Sequence, residues 1–93
     1  MVSAIVLINA KRDKIPETTQ ALVKLPGVTE VFSVAGTYDI AAIIQVRDNL
    51  DLADLVTRKM LKLDGIEKTN TLIAFEVFSK FDLERMFSLG LEK

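Results

Sequence analysis

The sequence predicts a small α+β domain with the element order β-α-β-β-α-β, and three observations carry that prediction. Apolar residues gather in four stretches of strand-like composition or alternation. Two segments between those stretches repeat their apolar residues at helical spacing. Each helical segment closes on a glycine turn that runs straight into the next strand, at Pro26-Gly27 and at Asp64-Gly65.

Val2 to Asn9 is a nearly continuous run of small and β-branched residues, which reads as a strand buried on both faces. A polar connection, "AKRDK", follows. Pro16 suits the first turn of a helix, where its missing N–H costs nothing. Ile15, Thr18, Leu22 and Leu25 recur at helical spacing, and Pro26-Gly27 stops the helix. Val28 to Ala35 reads as the second strand and Tyr38 to Val46 as the third. Gly36-Thr37 forms a tight turn between them, so the two are antiparallel. Asp48 or Asn49 caps a second helix whose apolar stripe is Leu52, Leu55, Val56 and Leu63. Ile66 to Phe78 is a long fourth strand. Asp82 then starts a short terminal helix, "LERMFSL", closed by Gly90.

This order is the split βαβ, or ferredoxin-like, arrangement. A short internal echo agrees with it. "KLPGVTEV" from Lys24 and "KLDGIEKT" from Lys62 are each a helix end, a glycine turn and the start of a strand. The chain has 93 residues, which suits one domain. The expected division is a binding domain over residues 1–80 and a helical tail over 81–93.

Composition narrows the function. Twelve basic residues oppose 13 acidic ones for a net charge of −1, which is no footprint for nucleic acid. The local cluster "KRDK" is interrupted by Asp13 and reads as a solvated loop. The absence of cysteine excludes disulfides and thiolate metal sites. The absence of histidine removes the commonest general base and metal ligand together. No nucleophile with an adjacent base and no phosphate loop is readable, so no cofactor is expected and the chain reads as a non-enzyme. The N-terminus lacks a basic start and a cleavage site, and no apolar run reaches membrane-spanning length. The expected location is cytoplasmic.

The sheet itself calls for a partner. Tyr38, Ile40, Ala42, Ile44 and Val46 point one way along the third strand, and Asp39, Ala41, Ile43, Gln45 and Arg47 the other. Two helices cover only one face of a four-stranded sheet. An apolar second face is then left open, and the simplest cover is a second copy placed sheet to sheet.

Three pieces of the chain together resemble a known family. They are Gly36-Thr37-Tyr38-Asp39 at the start of a hydrophobic strand, the helix around Leu50 to Leu63, and Gly65-Ile66 leading to Thr69-Asn70-Thr71. In this order and spacing they resemble the effector-binding (RAM) domain of the Lrp/AsnC transcription regulators, over roughly residues 1 to 80. The resemblance implies a dimeric α+β barrel that assembles to higher oligomers. It also implies an amino acid or related small metabolite bound in clefts where dimers meet. Carried over, the ligand site comprises Gly36, Thr37, Tyr38, Asp39, Thr69 and Thr71. Family regulators carry a helix-turn-helix before this domain, whereas this chain opens directly on its first strand. It is similar to the stand-alone members, which do not bind DNA by that route and would act by assembly or by partnering a DNA-binding relative.

Each of these residues also has a plainer reading. Gly36 suits any turn that needs an unusual backbone angle, and Asp39 suits a hydrogen bond to the turn backbone. Tyr38, Thr69 and Thr71 are ordinary strand residues. Two other functions share the architecture: a dimeric α+β-barrel oxygenase or isomerase, and an oligomerisation module without a ligand.

Overall fold

The computed structural model describes residues 1–78 and Lys80. The expected tail helix from Asp82 lies outside these residues. Strand β1 spans Val2–Ala10, and a 3-10 turn at Arg12–Lys14 leads into α1, Ile15–Val23. Strands β2 (Val28–Ser33) and β3 (Ile40–Val46) follow. Helix α2 begins at Asn49–Asp54 and continues as a π-helical segment, Leu55–Met60, before β4, Ile66–Ile73. The four strands form one antiparallel sheet in the order β2-β3-β1-β4, which is the ferredoxin-like topology.

Period-two alternation sorts the sheet into two faces. Ala4, Val6, Ile8 and Ala10 of β1 and Ile40, Ala42 and Ile44 of β3 are buried beneath the helices. Leu22 of α1 and Leu52, Leu55 and Met60 of α2 complete that core. Each fully buried Val, Leu or Ile side chain contributes about 1.5–3 kcal/mol relative to exposure. The opposite face carries Ile5, Leu7, Phe32, Ala41, Ile43 and Leu72, as the strand register requires. Both described helices lie on the first face, so this second face stays partly exposed; Phe32 is 47% and Ile5 39% accessible.

The echo between the two halves is geometric as well as sequential. Val28 N–H donates to Leu25 C=O at 3.2 Å, and Ile66 N–H donates to Leu63 C=O at 3.2 Å. Gly27 C=O accepts from Gln45 N–H, and Gly65 C=O accepts from Lys11 N–H, both at 2.9 Å. Both glycines are required for room, since a Cβ on Gly27 would come within 2.8 Å of Val46 Cγ1, and Gly27 is required for its backbone angle as well. Gly27 has φ +96°, a region that disfavours side chains. Gly65 is a matter of room: a Cβ there would overlap the Thr18 hydroxyl and come within 3.0 Å of Lys14 Cβ.

Four sequence expectations are corrected. The connection between β2 and β3 is not a two-residue turn at Gly36-Thr37; it runs over 34–39 and is closed by Val34 N–H donating to Asp39 C=O at 2.9 Å. Consequently β2 stops at Ser33 rather than Ala35, and β3 starts at Ile40 rather than Tyr38. The second helix does not keep one pitch: Leu61 N–H reaches back five residues to Val56 C=O. That wider pitch brings Met60, which the expected stripe omits, onto the buried face. Finally, β4 ends at Ile73 instead of Phe78. Beyond it, Ala74 N–H still donates to Ser3 C=O of β1 at 2.9 Å.

Candidate ligand site

The loop 34–39 sits at the end of the sheet where β1 runs out, and its backbone is held there by long-range bonds. Asp39 N–H donates to Ile8 C=O at 2.9 Å. The Asp39 carboxylate accepts from Ala10 N–H through Oδ2 at 2.9 Å. Asn9 Nδ2 donates to Thr37 C=O at 2.9 Å, and Asn70 Nδ2 donates to the Tyr38 hydroxyl at 3.2 Å. A loop that would otherwise spend its backbone polar groups on water is thereby tied to β1 and β4.

Gly36 and Thr37 are exposed; Tyr38 and Asp39 are half-buried. Gly36 takes φ +127°, which favours glycine, and a Cβ built on it would meet nothing within 4 Å among the described residues. The glycine is thus required by backbone angle and leaves open space beside the loop.

The six predicted site residues divide. Gly36, Thr37, Tyr38 and Asp39 are contiguous in this loop. Thr69 and Thr71 pair with Ile8 and Val6, so both belong to the helix-side face of β4. Asn70, between them, pairs with Leu7 and faces the open side, where it meets Tyr38. Within one chain the structure joins Asn70 to the loop and does not join Thr69 or Thr71 to it. Sequence reasoning missed Asn70 and Asn9. Strand parity in Thr69-Asn70-Thr71 was enough to put Asn70 on the open face, but nothing local announced its hydroxyl partner.

Several clefts lie elsewhere. One of about 310 Å³ lies between the Pro26-Gly27 turn and Asp51, Asp54 and Leu55 of α2. Its carboxylates are already paired, Asp51 with Arg47 at 3.0 Å and Asp54 with Arg58 at 3.6 Å. The Arg47 guanidinium is held above its ordinary pKa by the Asp51 hydrogen bond first, then by the charges of Asp51 and Asp48. A cleft of about 300 Å³ on the open sheet face is lined by Ile5, Ile43, Val77 and Phe78 among others. Among the described residues no group of three or more Asp and Glu side chains is placed to hold a metal ion. No described helix is long and apolar enough to cross a membrane.

The family model described as Lrp/AsnC ligand binding domain matches residues 3–82. An uncharacterized HTH-type transcriptional regulator of Pyrococcus furiosus is 39% identical over 83 residues, which is 88% of this chain and 55% of the relative. The chain thus spans about half the length of the curated relatives it matches. Among solved structures, a protein from Thermus thermophilus superposes with TM-score 0.80 at 39% identity, covering 86% of this chain and 100% of that one. Escherichia coli AsnC superposes with TM-score 0.78 at 26% identity, covering 85% of this chain and 55% of that one. A feast or famine regulatory protein of M. tuberculosis, 24% identical with TM-score 0.70 over 86% of this chain and 54% of that one, shares the fold and was solved complexed with L-methionine.

Proposed function

The chain belongs to the family of Lrp/AsnC ligand-binding domains, and on that premise we propose that it is a non-enzymatic regulatory module for an amino acid or related small metabolite. The observation that supports this most directly is the loop Gly36 to Asp39. It offers a carboxylate, a phenol and open main-chain groups beside an apolar sheet face that the described helices leave uncovered. A loop open to space on one side does not enclose a small molecule by itself, so a second copy would close the site. The unit that binds would be residues 1–80, with Thr69 and Thr71 contributing only across such a junction. The fold is compatible with an amino acid ligand, since a distant protein that shares it was solved with L-methionine.

In this reading two copies pair through their open sheet faces, pairs assemble further, and the ligand shifts that assembly. The output is regulation of amino acid metabolism at the level of transcription. It acts through assembly or through mixed oligomers with a DNA-binding relative, the named relatives being HTH-type regulators. The test is a panel of L-amino acids screened by thermal shift, with sizing repeated in the presence of each hit. A hit that raises the melting temperature and changes the oligomer supports the proposal. No shift with any amino acid would sink it, and an oligomer indifferent to a bound hit would leave a binding module without the regulatory output.

A further inference from the structure

The hydrogen bond between Asn70 and Tyr38 decides which way the tyrosine can act. A phenol has one hydrogen to donate and lone pairs to accept with. Asn70 Nδ2 donates to the Tyr38 oxygen, which occupies an accepting lone pair and leaves the phenol hydrogen without an acceptor among the described residues. At the next residue the situation is complementary. Asp39 uses Oδ2 to accept from Ala10 N–H, leaving its other oxygen free of any described partner. The loop therefore carries, side by side in sequence, one free donor and one free anionic acceptor. Those are the two groups that an α-amino acid, with its carboxylate and ammonium, would engage.

From this we infer that Asn70 is a specificity-determining residue for the carboxylate end of the ligand, acting by holding Tyr38 as a donor. The inference rests on the amino acid reading above and deepens it. Asn70 acts through Tyr38 and is a positioning residue. Asn9 has a parallel task on the backbone, fixing Thr37 through its carbonyl. An O–H donated to a carboxylate is among the stronger hydrogen bonds available, so the orientation of that hydrogen discriminates acids from neutral analogues.

The test compares L-amino acids with their C-terminal amides by calorimetric titration against the wild type, Asn70→Asp, Asn70→Ala and Asp39→Asn. In Asn70→Asp the new carboxylate captures the phenol hydrogen. Affinity for the acid should fall about ten- to a hundredfold, while affinity for the amide, whose carbonyl accepts only a neutral hydrogen bond, should fall several-fold less. Asn70→Ala leaves the hydrogen available but no longer holds the phenol in place, so it should weaken the acid measurably, less than Asn70→Asp does, and more than it weakens the amide. A residue that merely supported the loop would give the reverse order, with the truncation worse, and would weaken acid and amide alike; either result overturns the inference. A ligand-free reading is also accessible, because the chain has one tyrosine and no tryptophan. Its tyrosine emission comes from Tyr38 alone and should be quenched in Asn70→Asp, where a carboxylate takes the phenol hydrogen. Unchanged emission overturns the geometry. If the wild type binds no amino acid, the functional reading falls and this inference with it. If the wild type binds, Asp39→Asn loses the ligand and Asn70→Asp keeps it, only this inference falls.

Discussion

The carboxylate of Asp39 accepts from the backbone N–H of Ala10 at 2.9 Å, 29 positions away in the chain. The β1–β3 ladder has by then ended at Ile8 and Ile40, so a side chain stands in for the next strand residue. Asp39 therefore has a structural duty in addition to any ligand it meets.

That double duty can be separated by two substitutions. Asp39→Ala removes both, leaving a part-buried N–H without its partner and costing about 1–3 kcal/mol of stability. Asp39→Asn keeps an oxygen for Ala10 N–H and loses only the charge, so its unfolding midpoint should stay near that of the wild type. Both should weaken ammonium-bearing ligands about ten- to a hundredfold, with the dimer intact. An Asp39→Ala protein that binds at full affinity would make the carboxylate a turn residue only.

Gly65→Ala should be destabilising by about 1–3 kcal/mol, because the added methyl overlaps the Thr18 hydroxyl in a buried contact. Thr18→Ala removes that obstacle, leaving the milder approach to Lys14 Cβ. In a double-mutant cycle followed by denaturant unfolding, the pair should therefore be less damaging than the two single changes summed. Simple additivity would show that the overlap is not where the cost lies.

At the start of α2, the Asp48 side chain accepts from Asp51 N–H at 2.9 Å. Asp48→Ala should cost about 1 kcal/mol, as is usual for loss of such a cap. Thermal unfolding would register it. Asp48→Ser, which can also accept there, should recover most of the loss.

The exposed apolar sheet face makes a prediction about assembly. Light scattering at micromolar concentration should show a dimer or larger for the wild type. Ile5→Lys places a charge in the middle of that face and should shift the protein toward monomers that keep a folded circular dichroism spectrum. A wild type that is a stable, folded monomer would defeat the sheet-to-sheet arrangement.

Duplex DNA should not be retained by the pure chain at physiological salt. A net charge of −1 offers no counterion-release term to drive binding. Sequence-specific retention in a gel-shift experiment would overturn this.

The parts of the fold legible in the sequence were those with local causes. Strand parity sorted Ile40, Ala42 and Ile44 onto one face and Ala41 and Ile43 onto the other, and the structure shows that the first set is the buried one. The glycine turns at Gly27 and Gly65 marked the joints of both halves. Gly36-Thr37 marked the place of the loop but not its length, because glycine has recognisable backbone chemistry wherever it sits while the long-range bonds that hold Tyr38 and Asp39 outside the strand leave no local mark.

Local patterns along the chain thus settle the order of elements, the sorting of strand residues into two faces and the family to which the chain belongs. Where the strands stop and which side chains meet are settled only by the folded sheet. Tyr38 lies outside β3, beside an Asp39 that bonds to Ile8 and Ala10, and β4 ends at Ile73 although Ala74 still bonds to Ser3. Asn70 meets Tyr38 from 32 positions away across the central strand. Periodicity is a property of neighbours along the chain, and it says which way a residue points. It is silent on a hydrogen bond between residues that only the folded sheet brings within 3.2 Å.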